Sequence, residues 1–191
     1  MVLPTKNDVV LLFIKKSTDN ESTEIKGVMG KKALQKGMYF FNEDVDSFSF
    51  KWHDYGPMST ELQQIAQDLI SNGNAVVTEI PTKKQGAFIT NMTFSSVHNY
   101  YFDDIEFSTE INNTLDKIVK FCSGKKPREL ELLASVHYWA KKQQFMQDEY
   151  AVEYIHDKLT ELKPDAGFTS KDVENAISTL EFNEYLTSEE S

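Results

Sequence analysis

A mainly helical α+β fold is predicted by three features of this 191-residue chain. Apolar residues recur at helical spacing in seven separate segments, the pattern of amphipathic helices. Two β-rich runs, Ala75 to Ile80 and Ala87 to Phe94, stand side by side in the middle of the chain. From Ser108 onward only the helical period remains.

In chain order, Asn7 or Asp8 is positioned to cap a first helix through Val9, Val10, Leu12, Phe13 and Ile14. The polar stretch Ser17 to Gly27 reads as a loop. A second helix is expected from about Gly30 to Phe41, with Ala33, Leu34, Met38, Phe40 and Phe41 as its apolar set and Gly37 tolerated inside it. Phe48, Phe50 and Trp52 alternate with Ser47, Ser49 and Lys51, the period of a half-buried strand. Gly56-Pro57 reads as a turn. A third helix starts at Ser59 or Thr60, where Thr60 and Gln63 fit a capping box. Its residues Leu62, Ile65, Ala66, Leu69 and Ile70 follow the amphipathic pattern throughout, and Asn72-Gly73 ends it. The two β-rich runs, joined by Pro81-Thr82-Lys83-Lys84-Gln85-Gly86, form a hairpin with a basic tip.

Helix, helix, strand, helix, hairpin is the layout of a winged helix, with the third helix in the recognition position. Residues 1–101 are therefore read as a winged-helix-like module. Residues 102–186 are read as an all-helical region packed on it, and 187–191 as a polar tail. In the helical region, Ile111, Leu115, Ile118, Val119 and Cys122 mark one helix. Pro127 opens another through Leu130, Leu133, Val136 and Trp139. A third spans about Asp148 to Leu162, and Thr169 or Ser170 caps a fourth through Val173, Ile177 and Leu180.

Apolar residues make up 40% of the chain, with 13 Phe and 8 Tyr, which excludes a disordered polymer. The net charge of −10 is uneven: residues 1–101 carry 10 basic and 11 acidic groups, residues 102–191 carry 10 and 19. The lone Cys122 has no partner for an internal disulfide, as expected of a reducing compartment. The longest N-terminal apolar run, Val9 to Ile14, is followed rather than preceded by the basic pair Lys15 and Lys16, unlike a secretory signal. A cytoplasmic protein without a membrane span is expected.

Catalytic and metal chemistry find no pattern. His53, His98, His137 and His156 fall in no metal-ligand spacing, and His53 sits beside Asp54, where an oriented base is conceivable but a surface or packing role is the expectation. There is no nucleophile elbow, Walker loop or dinucleotide fingerprint. The segment Gly27-Val28-Met29-Gly30-Lys31-Lys32 lacks the Walker frame. No catalytic residue, cofactor or metal is expected. For DNA, the available cations are Lys31, Lys32 and Lys36 on the second helix and Lys83 and Lys84 at the hairpin tip. The third helix has Glu61 and Asp68 and no basic residue. A polyanion needs cations there, so a DNA-binding regulator is the alternative and nucleic acid is disfavoured. Glu149, Glu153, Asp157 and Glu161 recur every four residues, opposite Ala151, Val152, Ile155, Leu159 and Leu162. Like charges at that spacing repel by about 0.2–0.5 kcal/mol per pair, which makes the row a candidate contact for a basic partner.

Two segments resemble a known group. Gly30-Lys31-Lys32-Ala33-Leu34-Gln35-Lys36 and Phe50 to Leu62, which includes Tyr55-Gly56-Pro57-Met58-Ser59, resemble the prokaryotic YwgA-like proteins. So does the helical stretch with Leu130, Leu132, Leu133 and His137. More distantly, the lysine-rich helix resembles that of the SocA-like (Panacea) antitoxin family. That resemblance implies a protein that acts through contacts with other proteins, as an antitoxin or adaptor, and transfers no catalytic residue. A non-enzymatic interaction or regulatory protein is therefore expected.

Overall fold

A computed structural model describes residues 2–81, 88–95, 101–147 and 150–187 of the chain. Helix α1 spans Lys6–Asp19. Its cap is Thr5 rather than Asn7 or Asp8. Asp8 occupies the third helical position, where its carboxylate accepts the Thr5 backbone N–H at 2.6 Å while the Thr5 hydroxyl accepts from Asp8 N. Val9 to Ile14 are all buried, so α1 runs through the core with apolar contact on every side. The predicted loop begins three residues late, at Asn20. Thr18 holds the last turn, donating to the Ile14 carbonyl at 2.8 Å and accepting Phe94 N at 2.9 Å.

Helix α2 spans Gly30–Asp44 and meets the Phe13 side chain of α1 at Gly37. A Cβ on Gly37 would lie 2.6 Å from Phe13 Cζ, so the glycine is there to let the Phe13 ring seat against the α2 backbone. Of the strand expected around Phe48 to Trp52, only β1, Lys51–His53, pairs, although burial does alternate along Phe48, Phe50 and Trp52. Its partner is β2, Gly56–Met58, with Trp52 opposite Pro57. The turn is therefore Asp54-Tyr55, and the expected Gly56-Pro57 turn is strand instead. In a two-stranded ribbon both strands are edges, where proline is tolerated.

Helix α3 spans Thr60–Ser71 with Ser59 as its cap, which leaves no role for a box between Thr60 and Gln63. Leu62, Ile65, Ala66 and Leu69 are buried and Ile70 is half-buried. Strands β3, Ala75–Pro81, and β4, Phe88–Phe94, pair antiparallel from Ala75 opposite Phe94 to Pro81 opposite Phe88. On the far side of β4, Val28 and Met92 exchange two backbone bonds of 2.8 Å each. The tip lysines Lys83 and Lys84 lie outside the described residues.

The remaining elements are α4, Thr109–Cys122, α5, Pro127–Gln147, α6, Val152–Leu162, and α7, Ser170–Phe182. Thr169 caps α7 with a box to Asp172. Helix α5 runs eight residues past Trp139, which displaces the start of α6. Ala151 is the α6 cap residue, and its backbone N–H is held by the Gln143 side chain of α5 at 2.9 Å. The expected helix from Asp148 is thus shorter by four residues. One contiguous apolar core joins the two regions, with α2 packed on both α4 and α5. Among the described residues no helix is long and apolar enough to cross a membrane.

Candidate functional site

The two resemblance segments meet. Gln35 on α2 accepts Ser59 N and donates to the Ser59 carbonyl, each at 2.9 Å, and so fixes the start of α3. One residue on, the Lys36 ammonium donates to the Pro57 carbonyl at 2.7 Å. These bonds tie β2 and the start of α3 to α2, and β2 also packs on α5. Gly56 makes the approach possible: at φ +87° it takes a conformation disfavoured for other residues, and a Cβ there would lie 2.6 Å from Ser135 Oγ.

Beneath the hairpin sits a cluster of charges. Glu131 of α5 is shared between two ammonium groups, Lys32 at 2.6 Å and Lys163 at 2.7 Å. Lys163 also donates to Ser135 Oγ at 3.2 Å and lies over the Trp52 ring. The Lys163 and Glu131 side chains are 3% and 8% exposed. Lys36 is 1% exposed and has no carboxylate partner among the described residues. Three lysines therefore face one carboxylate. Burial, reinforced by the Lys163 charge, brings the Lys36 ammonium down to about 7. Burial also holds Lys163 below its ordinary value despite the Glu131 hydrogen bond. For Glu131, burial pushes upward, but the hydrogen bonds from Lys163 and Lys32 together outweigh it and keep the carboxyl low.

Two clefts open beside the cluster, divided by Lys32 and Tyr55, whose ammonium and ring centre are 4.4 Å apart. The cleft between α2, the hairpin and α3 has a volume of about 390 Å³ and a largely apolar lining that includes Leu34, Met58 and Ala66. Its basic lining groups are Lys31, Lys32, Lys36 and His53, with no carboxylate among the described residues. The other cleft, of about 460 Å³, lies between the hairpin, α5 and the 164–168 turn. It sets Lys32, Arg128 and Lys163 against Asp54, Glu131 and Asp165.

The residues singled out from the sequence scatter over the molecule. Of the DNA-directed cations, Lys31 is exposed, Lys32 is half-buried and paired, and Lys36 is buried. On α6, Glu153, Asp157 and Glu161 are exposed, and Glu161 pairs with Lys158 at 2.8 Å. Glu149 lies outside the described residues. His53 is an exposed neighbour of Asp54, 3.9 Å away. His98 lies outside the described residues. Among the described residues no group of three or more His, Cys, Asp or Glu is placed to hold a metal ion. Burial pushes the Cys122 thiol up to about 12, so it is not a thiolate at neutral pH.

Sequence reasoning missed Glu131, Ser135 and Lys163. A signal was available: Lys32 and Lys36 form a like-charged pair four residues apart, which asks for an anion from elsewhere. No protein-family model matches this chain, and no curated protein matches it.

Proposed function

We propose that this chain is a non-enzymatic protein-interaction or regulatory protein, antitoxin-like or adaptor-like, and a member of the YwgA-like group with a distant tie to the SocA-like family. In this reading α1, α2, α3 and the β3–β4 hairpin make a winged-helix-like module. Val28, bridged to Met92, stands for the short strand between the first two helices, and β1–β2 is an insertion before α3.

The observation that carries the reading is the surface of α3. In the recognition position it offers solvent Thr60, Glu61, Gln63, Gln64, Gln67 and Ser71, with no cation anywhere along it. Glu61 is already paired with Lys6 at 2.8 Å. A helix of this composition is unsuited to phosphate and suited to protein. The acidic α6 face, with Glu153 and Asp157, offers a second protein contact.

The test is cross-linking mass spectrometry of the tagged chain in its native cells, beside duplex titrations by fluorescence anisotropy at physiological salt. The expected result is a reproducible protein partner, with duplex binding no tighter than about 10⁻⁵ M. Sub-micromolar, sequence-dependent duplex binding without a protein partner overturns the proposal and favours a DNA-binding regulator.

A further inference from the structure

Most of the surface repels anions, since the chain carries a net charge of −10. The cleft between α2, α3 and the β1–β2 hairpin is a local exception. It is lined by basic groups and no carboxylate among the described residues, its remaining lining is largely apolar, and the exposed Tyr55 stands at its rim. Lys36 lines it while 1% exposed, bonded to a neutral carbonyl and facing no carboxylate among the described residues. A buried ammonium is normally paired, because an unpaired charge in low dielectric is costly. The nearest anion, Glu131, is committed to Lys32 and Lys163. Positive charge beside this cleft therefore lacks a counter-charge that the described residues supply.

We infer that this cleft binds an acidic peptide segment of a partner protein, seating one large apolar side chain on Leu34, Met58 and Ala66 and placing a carboxylate against exposed Lys31, with the buried charge of Lys36 behind it. The inference rests on the protein-binding reading above and names the chemistry of the partner. A volume of about 390 Å³ fits a side-chain anchor rather than a folded surface. Exposed Tyr55 supplies the aromatic contact that interfaces favour. The lining charges of the neighbouring cleft balance, three of each sign, and give it no such preference.

The probe is a fluorescein-labelled 12-residue peptide of Asp and Glu around a central Leu-Phe pair, titrated by anisotropy into the full chain. Saturable binding with Kd below about 1 mM is expected. It should weaken as salt rises and vanish when Lys replaces the acids or Ser replaces Leu-Phe. Lys31→Glu and Tyr55→Glu, both at exposed positions, should each weaken it about tenfold. Lys120→Glu, the same charge change on exposed α4, should leave it within about twofold. Absence of saturable binding overturns the inference, as does binding indifferent to Lys31→Glu and Tyr55→Glu. Decanoate that binds where the peptide does not overturns the peptide as occupant. Failure here is separable from failure of the protein-binding reading. A cellular partner cross-linked elsewhere and retained by Lys31→Glu sinks this inference alone. Peptide binding at the cleft without any cellular protein partner sinks the other.

Discussion

Two buried polar centres lie along the α2–α5 contact, and they are built on opposite principles. Near the far end of α2, His137 of α5 is fully buried between Tyr39 and the backbone of Tyr185. Its Nδ1 accepts the Tyr39 hydroxyl at 2.8 Å and its Nε2 donates to the Tyr185 carbonyl at 3.0 Å. Burial takes the imidazole down to about 3, so it is neutral, and both ring nitrogens are satisfied. Near the start of α2, Lys32 and Lys163 share one carboxylate, Lys36 has none among the described residues, and the three lysines line two clefts. A closed neutral pair specifies packing. An open, unbalanced charge cluster is placed to meet something from outside.

The largest effect that sharpens this contrast comes from Glu131→Gln. It leaves Lys163 buried without its anion, a loss of about 3–5 kcal/mol by denaturant unfolding. A loss under about 1 kcal/mol would mean that the lysines are already neutral or hydrated. In the neutral centre, Tyr39→Phe strips one donor from His137 and should cost about 1–3 kcal/mol.

The two centres also separate by pH. His137 has a folded value of about 3 against an ordinary 6.5, so below 6.5 the unfolded chain takes up a proton that the folded chain refuses. Its contribution to stability is present above 6.5 and is lost as pH falls toward 3. Lys36 has a folded value of about 7 against 10.5, so between these the unfolded chain again holds the extra proton. Its contribution is present above 10.5 and is lost as pH falls through that window to 7. Each limb should slope by up to about 1.4 kcal/mol per pH unit. Unfolding of Lys36→Met should lose most of the alkaline limb, leaving the part that buried Lys163 contributes, and keep the acid one. An unchanged alkaline limb would remove Lys36 from its cause. The smallest effect lies outside both centres. Glu153→Gln, on the exposed acidic face of α6, should change stability by less than about 0.5 kcal/mol, with the sign of a slight gain at low salt.

Much of the fold was legible because local chemistry decided it. The stripe Leu62, Ile65, Ala66, Leu69 with Ser59 ahead and Gly73 behind could only be a helix of about this length, and the register of the β3–β4 hairpin follows its two apolar runs. The β1–β2 ribbon was not legible. Three-residue strands carry almost no period, and Pro57 argues for a turn until Lys36 is seen to need its carbonyl. The α5–α6 boundary was missed because Asp148 and Glu149 fit a helix start as well as Ala151 does, and Gln143 settles it from another helix. The lysine cluster was half visible. Lys32, Gln35 and Lys36 were marked by resemblance, but Glu131 lies 99 residues beyond Lys32 and its second partner Lys163 lies 32 residues further on, and pairing at that range leaves no local trace. The acidic row on α6 drew attention instead because its repetition is local.

The most direct measurement is a titration of the lysine side chains by NMR, following the Cε and Nζ resonances of the full chain from pH 5 to 11. One lysine should titrate near 7, its signal should be absent in Lys36→Met, and its midpoint should rise when the acidic Leu-Phe peptide is added. If every lysine titrates near 10.4, the ammonium is solvated or paired, and the contrast between a closed neutral centre and an open cationic one fails.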